Sequence, residues 1–176
     1  MAGSNRKQKT ARDMVLSLAL IVVASLVVYF FTIPHDDHAP DIKRVDYQVE
    51  LLTARRAASY PVAAPEGLPS TWKATSVRFQ GADSDRWHLG FETPGGQYAQ
   101  VEQSTTHKRA DFIDDASQGG SASRHTERID GRTWTRYTGG RYDALVLKDT
   151  PGVTTVVAGT APFEDLTALA AALKAE

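Results

Sequence analysis

The stretch that decides the fold is YDALVLKDTPGVTTVVAGTAPFEDLTALAAALKA, residues 142–175. Ala144-Leu145-Val146-Leu147 is apolar on both faces, the pattern of a strand with no wet side. Val153, Val156 and Val157 also serve both faces, so Tyr142 to Lys148 and Val153 to Gly159 read as neighbouring central strands. Between them, Asp149-Thr150-Pro151-Gly152 has Pro and Gly placed for a type II turn. From Pro162 to Ala175 the period changes. Phe163, Leu166, Leu169, Ala170 and Leu173 form one helical stripe, with Glu164, Asp165, Thr167 and Lys174 between them on the side left to water. Pro162 suits the first turn, Glu164 and Asp165 complement the dipole there, and Lys174 complements the far end. Such a short helix is marginal alone, so its stripe must dock on the sheet.

Upstream, the same logic repeats. Arg124 to Ile129 and Arg132 to Thr138 flank Asp130-Gly131, a strong two-residue hairpin signal. Gln118 to Ser123 reads as a Gly/Ser loop, and Lys108 to Ser117 as a short helix presenting Phe112, Ile113 and Ala116. Arg86 to Glu92 alternates, with Trp87, Leu89 and Phe91 on one face and His88, Gly90 and Glu92 on the other. Gln97 to Thr105 returns from the Pro94-Gly95-Gly96 turn with Ala99, Val101 and Gln103 on one face. Thr71 to Phe79 is a further strand. Asp46 to Ala58 fits both helical and alternating spacing. Asp46 as N-cap and the alanines 54, 57 and 58 favour helix, ended by Tyr60-Pro61. The expected fold is α+β: one antiparallel sheet of about seven strands, packed with a short middle helix and a C-terminal helix.

The N-terminal end is of another kind. Met14 to Ile33 is twenty residues without a charge, long enough as a helix to span the roughly 30 Å hydrocarbon core of a bilayer. Arg6, Lys7, Lys9 and Arg12 precede it against Asp13, and no Lys or Arg follows until Lys43. Cations stay on the cytoplasmic side, so the N-terminus is expected inside and the remainder outside. The run closes on Tyr29-Phe30-Phe31 without small residues at a cleavage position, which favours an uncleaved anchor over a signal peptide. The expected organisation is a basic tail (1–13), a transmembrane helix (14–33), a linker (34–45) and an extracytoplasmic domain (46–176). There is no Cys, which excludes lipoprotein acylation and disulfides. The four cations and one anion of residues 1–13 leave 16 cations against 20 anions beyond them. That mildly acidic remainder argues against nucleic acid as a partner.

The pattern resembles the domain of unknown function 4245 family, small membrane-anchored proteins of high-GC Gram-positive bacteria. The resemblance rests on Leu68-Pro69-Ser70-Thr71-Trp72, Thr75 to Arg78, Trp87-His88-Leu89-Gly90-Phe91, Thr93-Pro94 and Gly96 to Ala99. It continues through Val101-Glu102-Gln103-Ser104, Trp134 with Arg136-Tyr137, and Val156 to Thr160. It implies the topology above and no mechanism.

Chemistry is sought in the remaining polar residues. His35-Asp36-Asp37-His38 lacks a rigid scaffold and reads as a solvated stop after the anchor rather than a metal site. There is no Gly-x-Ser-x-Gly elbow, no His-Glu-x-x-His and no phosphate loop. Asp114-Asp115, Asp83 and Asp85 read as solvated surface. No catalytic residue, cofactor or metal ligand is assigned. Trp72, Trp87 and Trp134, with Tyr98, Tyr137 and Tyr142, are many aromatics for such a domain. The bland reading is core. The alternative is an aromatic groove for peptidoglycan, sugar or peptide, with Trp72, Tyr98 and Trp134 as contacts and Trp72, on the loop into the sheet, the most exposed. The leading expectation is therefore a non-catalytic binding module of the cell envelope, with the lipid bilayer as partner through residues 14–33 and an envelope protein or cell-wall ligand outside. The alternative is an envelope hydrolase with a site assembled in space around His88 or His125. A pocket lined by a His and a carboxylate would favour the second reading, and an exposed aromatic groove the first.

Overall fold

A computed structural model describes residues 4–32, 43–82, 85–148 and 152–176; within its first helix, side chains are described at 13–26 and 28. The chain forms two compact units, Met1–Asp41 and Ile42–Glu176.

The first unit holds helix α1 (Ser4–Thr32). Its described apolar side chains, among them Met14, Leu18, Leu20 and Leu26, are all exposed. Among the described residues no helix is long and apolar enough to cross a membrane. The run expected to do so continues through Val27 and Tyr29 to Ile33, whose side chains lie outside the described set. The His35–His38 segment and the turn residues Asp149 to Pro151 also lie outside it.

The second unit is α+β. Helix α2 (Gln48–Ala57) is followed by the short strand β1 (Ala63–Pro65). Strands β2 (Lys73–Gln80), β3 (Arg86–Glu92) and β4 (Tyr98–Ser104) come next, then helix α3 (Arg109–Ser117). Strands β5 (Ser121–Ile129), β6 (Arg132–Thr138), β7 (Asp143–Leu147) and β8 (Thr154–Gly159) lead to helix α4 (Phe163–Ala172) and the closing strand β9 (Leu173–Ala175). Seven strands form one antiparallel sheet in the order β2-β3-β4-β8-β7-β6-β5. Strand β8 sits at its centre and every one of its residues is buried, as the apolar character on both faces requires.

Alternation sorts the side chains of the sheet. Trp87, Leu89, Phe91, Ala99, Val101, Leu145 and Val157 point to one side, where Leu51 and Ala54 of α2 and Leu166, Leu169 and Ala170 of α4 complete the larger core. Ala144, Val146, Val156 and Ala158 point to the other, where Phe112, Ile113 and Ala116 of α3 cover them. The Asp130-Gly131 turn has both residues at positive φ, 47° and 76°, the two left-handed positions of the expected tight hairpin. The α2 helix begins at Gln48 with Tyr47, rather than the expected Asp46, at the N-cap position; Asp46 Oδ1, one residue further out, accepts the Gln48 N–H at 3.1 Å.

Three expectations are corrected. The C-terminal helix ends at Ala172 rather than Ala175, because Leu173–Ala175 pairs antiparallel with Ala63–Pro65 as a second, two-stranded sheet. Leu173 is still buried, but as a strand residue. The loop expected over 118–123 already belongs to β5 from Ser121, where pairing with Thr138 overrides weak local propensity. Thr167 does not face open water; its half-buried hydroxyl donates to Glu127 Oε2 at 2.8 Å.

Candidate functional site

Helix α3 covers the second face of the sheet only partway. Toward the β2 edge that face carries a ladder of polar side chains. Antiparallel register sets Arg78 beside His88, His88 beside Glu102, and Ser76 beside Gly90. The β2–β3 register shifts between Ala74 and Ser76, an irregularity that leaves Thr75 unpaired and sets the side on which Ser76 falls. Ser76 Oγ thereby lies 2.9 Å from His88 Nε2. His88 Nδ1 lies 3.2 Å from Glu102 Oε1. Arg86 closes the ladder with two hydrogen bonds to Glu102 Oε2, from Nε at 2.9 Å and from a terminal nitrogen at 2.7 Å.

Gly90 makes the close approach feasible. A Cβ there would stand 2.4 Å from Ser76 Oγ and 2.8 Å from the Tyr98 hydroxyl, so a side chain would push the ladder apart. Tyr98 extends the network inward: its hydroxyl donates to Gln100 Oε1 at 2.9 Å, and Gln100 Nε2 donates to the Ala116 carbonyl of α3 at 3.1 Å. The Arg86 guanidinium lies 5.2 Å from the Phe112 ring centroid of the same helix and reaches toward Asp115 at 3.8 Å. The ladder is thus tied to α3 at two points.

The electrostatics follow from this packing. Burial would push the Glu102 carboxyl up, but the hydrogen bond from His88 and the charge and hydrogen bonds of Arg86 outweigh it, and the group is held below its ordinary range. The Tyr98 phenol is pushed up by burial, partly offset by the neighbouring Ser76 side chain. With Glu102 ionised, His88 Nδ1 must donate to it. A neutral His88 then presents its Nε2 lone pair to the Ser76 hydroxyl, the tautomer a general base requires. Arg78, Gln80, Arg86, His88 and Glu102 line a cleft of about 150 Å³ at this place.

The aromatic contacts expected from the sequence are dispersed. Trp72 is 7% exposed and packs edge-to-face on Phe91 at 6.2 Å, with Tyr47 on the same ring at 6.1 Å. It lines a recess of about 210 Å³ shared with Arg44, Tyr47 and Leu68. Arg44 donates to the carbonyls of Ser70 and Trp72 there, at 2.6 and 3.2 Å. Tyr98 is half-buried in the ladder. Trp134 is 1% exposed, a core residue bordering a separate cavity. No aromatic groove joins the three. His107 and His125 are exposed, on the loop before α3 and on β5, and neither has a carboxylate partner among the described residues.

Ser76 as a partner of His88 was not legible in the sequence, since the contact depends on the β2–β3 register shift. One signal is present in the sequence: His88 and Glu102 each fall on the polar parity of their strand.

No curated protein and no solved structure matches the chain. A family model matches residues 6–173, nearly the whole sequence. The chain belongs to the family described as protein of unknown function (DUF4245).

Proposed function

We infer that the protein is held in the cell membrane by residues 14–33, N-terminus cytoplasmic, and that its domain from 46 to 176 is a non-catalytic binding module of the cell envelope. The observation that carries the anchoring is the twenty-residue uncharged run, preceded by four cations and followed by no Lys or Arg until Lys43. The second unit has its own two-sided core, built from its own elements. Contact with an envelope protein or cell-wall ligand falls to the two surface features that hold polar and aromatic groups together: the recess beside Trp72 and the ladder around Tyr98. Trp134, enclosed, meets a ligand only inside the cavity it borders.

A photoreactive residue at Leu68 beside the recess, and another at Arg78 beside the ladder, test this in intact cells. The expected result is a discrete adduct from at least one position, absent when the same residue is placed at exposed Thr133 on β6. Cells yielding no adduct from either position would overturn the binding reading.

The cleft lined by His88 and Glu102 is the feature expected of the second reading, and the aromatic groove expected of the first is not formed by Trp72, Tyr98 and Trp134. The Ser76–His88–Glu102 geometry accordingly favours an envelope hydrolase with Ser76 as nucleophile, His88 as base and Glu102 as its orienting carboxylate. Arg86 weighs against it. A triad carboxylate stabilises the imidazolium through its negative charge, and here that charge is already met by a guanidinium on the other oxygen. Labelling with a fluorophosphonate separates the two readings. The binding module leaves Ser76 unlabelled; stoichiometric labelling lost in both Ser76→Ala and His88→Ala makes the hydrolase the correct one.

A further inference from the structure

Among the described residues of the second unit, the large apolar side chains left exposed are Val49 and Leu52, at 73% and 51%. Both lie on α2, the first element of that unit. With Thr53 and Arg56, also exposed, they occupy positions i, i+3, i+4 and i+7 of one helical stripe. The other side of the helix is committed to the core through Leu51 and Ala54. Helix α2 is thus apolar on two sides, which burial of one face does not require. The Thr53 hydroxyl donates to the Val49 carbonyl at 3.0 Å, so its polar group is satisfied within the helix. Arg56 puts a cation on the stripe, and no acid falls on it; Glu50 is half-buried on the flank and Asp46 precedes the helix.

The chain before α2 brings a particular surface within its reach. Arg44 donates to the Ser70 and Trp72 carbonyls, and the Val45 N–H donates to that of Ala74 at 2.8 Å, so the chain is fixed to the domain from Arg44 onward. Only ten residues, 34–43, separate Arg44 from the uncharged run that ends at Ile33. A chain of that length spans at most about 36 Å and about 17 Å as a flexible coil. We propose that the Val49–Leu52 stripe of α2 rests on the outer lipid surface of the membrane that holds residues 14–33, its apolar pair entering the acyl boundary and Arg56 reaching the headgroup phosphates. An apolar strip joined to a cation on a long apolar stem is the composition of an interfacial helix. Lys43 and Arg44, exposed at the entry to α2, add charge of the sign that phosphate attracts. Two side chains are too few to hold a free protein on a bilayer, but a tether makes the contact intramolecular, at high local concentration. The inference therefore rests on the anchoring reading.

The chain has no Cys, so one introduced thiol carries a single probe. Thr53→Cys with an environment-sensitive fluorophore leaves Val49 and Leu52 in place, and Thr133→Cys on β6 is the exposed reference. The full-length chain is reconstituted in vesicles of phosphatidylcholine and phosphatidylglycerol, with and without a lipid bearing a nitroxide at the acyl boundary. The Thr53 probe is expected to emit at shorter wavelength than the Thr133 probe and to be quenched several-fold more by the nitroxide lipid. Val49→Gln with Leu52→Gln, both compatible with a helix, should abolish that difference. Arg56→Gln should reduce it, and more so with phosphatidylglycerol present than in phosphatidylcholine alone. A Thr53 probe as wet as the Thr133 probe, on a chain that floats with the vesicles, overturns this inference alone. A chain that does not float overturns the anchoring reading and this inference with it. A Thr53 probe shielded from water yet untouched by the nitroxide lipid assigns the stripe to a second copy of the chain and overturns the lipid contact.

Discussion

The two faces of the seven-stranded sheet differ in how they meet water. One is closed by α2, α4 and the β1–β9 clasp over a large aromatic and aliphatic core. The other is closed by α3 over β4, β8 and β7, and toward the β2 edge it carries buried and half-buried polar side chains that satisfy one another. The same alternation serves both: Trp87, Leu89 and Phe91 feed the first face, while Arg86, His88 and Gly90 on the same strand feed the second. On β3 burial is therefore concentrated on one side and recognition chemistry can occupy the other, whereas β7 and β8 are buried on both.

Substitutions on the two faces should accordingly differ in size and in kind. The largest effect is expected at Leu166, fully buried on the core-facing side of α4. Leu166→Ala should lower the unfolding free energy of the second unit by about 2–5 kcal/mol. Urea unfolding of residues 41–176, which should fold alone, measures it; an unchanged midpoint would mean that α4 is not docked.

On the ladder the expected effect is smaller and depends on pH. Glu102→Gln removes the ionised partner of both His88 and Arg86 and should cost about 1–3 kcal/mol at neutral pH. The sign of the pH effect follows from the carboxyl being held below its ordinary range. The unfolded chain then takes up a proton that the folded chain does not. The stability Glu102 contributes is full above its unfolded pKa and is lost as pH falls through the folded value. The loss of stability on acidification should be shallower in Glu102→Gln than in the wild type; parallel curves would show that the ladder does not hold Glu102 ionised. The smallest effect belongs to Thr167→Ala, about 0.5–1.5 kcal/mol for one half-buried hydrogen bond to Glu127. A cost as large as that of Leu166→Ala would erase the distinction between wet and dry sides of α4.

Most of the fold was legible because its signals are local. The Arg86–Glu92 alternation, the Asp130-Gly131 turn, the apolar run of 144–147 and the α4 stripe each need only a few neighbouring residues. The β1–β9 pair was not, because three-residue strands carry no period, and Leu173 continues the helical stripe while its backbone leaves the helix. Local spacing cannot distinguish these when a tertiary strand partner decides. The start of β5 inside a Gly/Ser stretch is likewise set by a strand partner distant in sequence, Thr138 opposite Ser121. Of the candidate site, the parity of His88 was visible. Its distance from Ser76 depends on a register shift across two strands, which no spacing within either strand encodes. The burial of Trp134 matched the bland expectation for an aromatic.

The central claim is that residues 14–33 hold the chain in a membrane with the sheet domain outside, and topology tests it most directly. A reporter enzyme active only outside the cytoplasm, fused after Glu176, should be active and should sediment with membranes as an uncleaved chain. An inactive reporter, or a mature protein beginning near residue 35, would contradict the account.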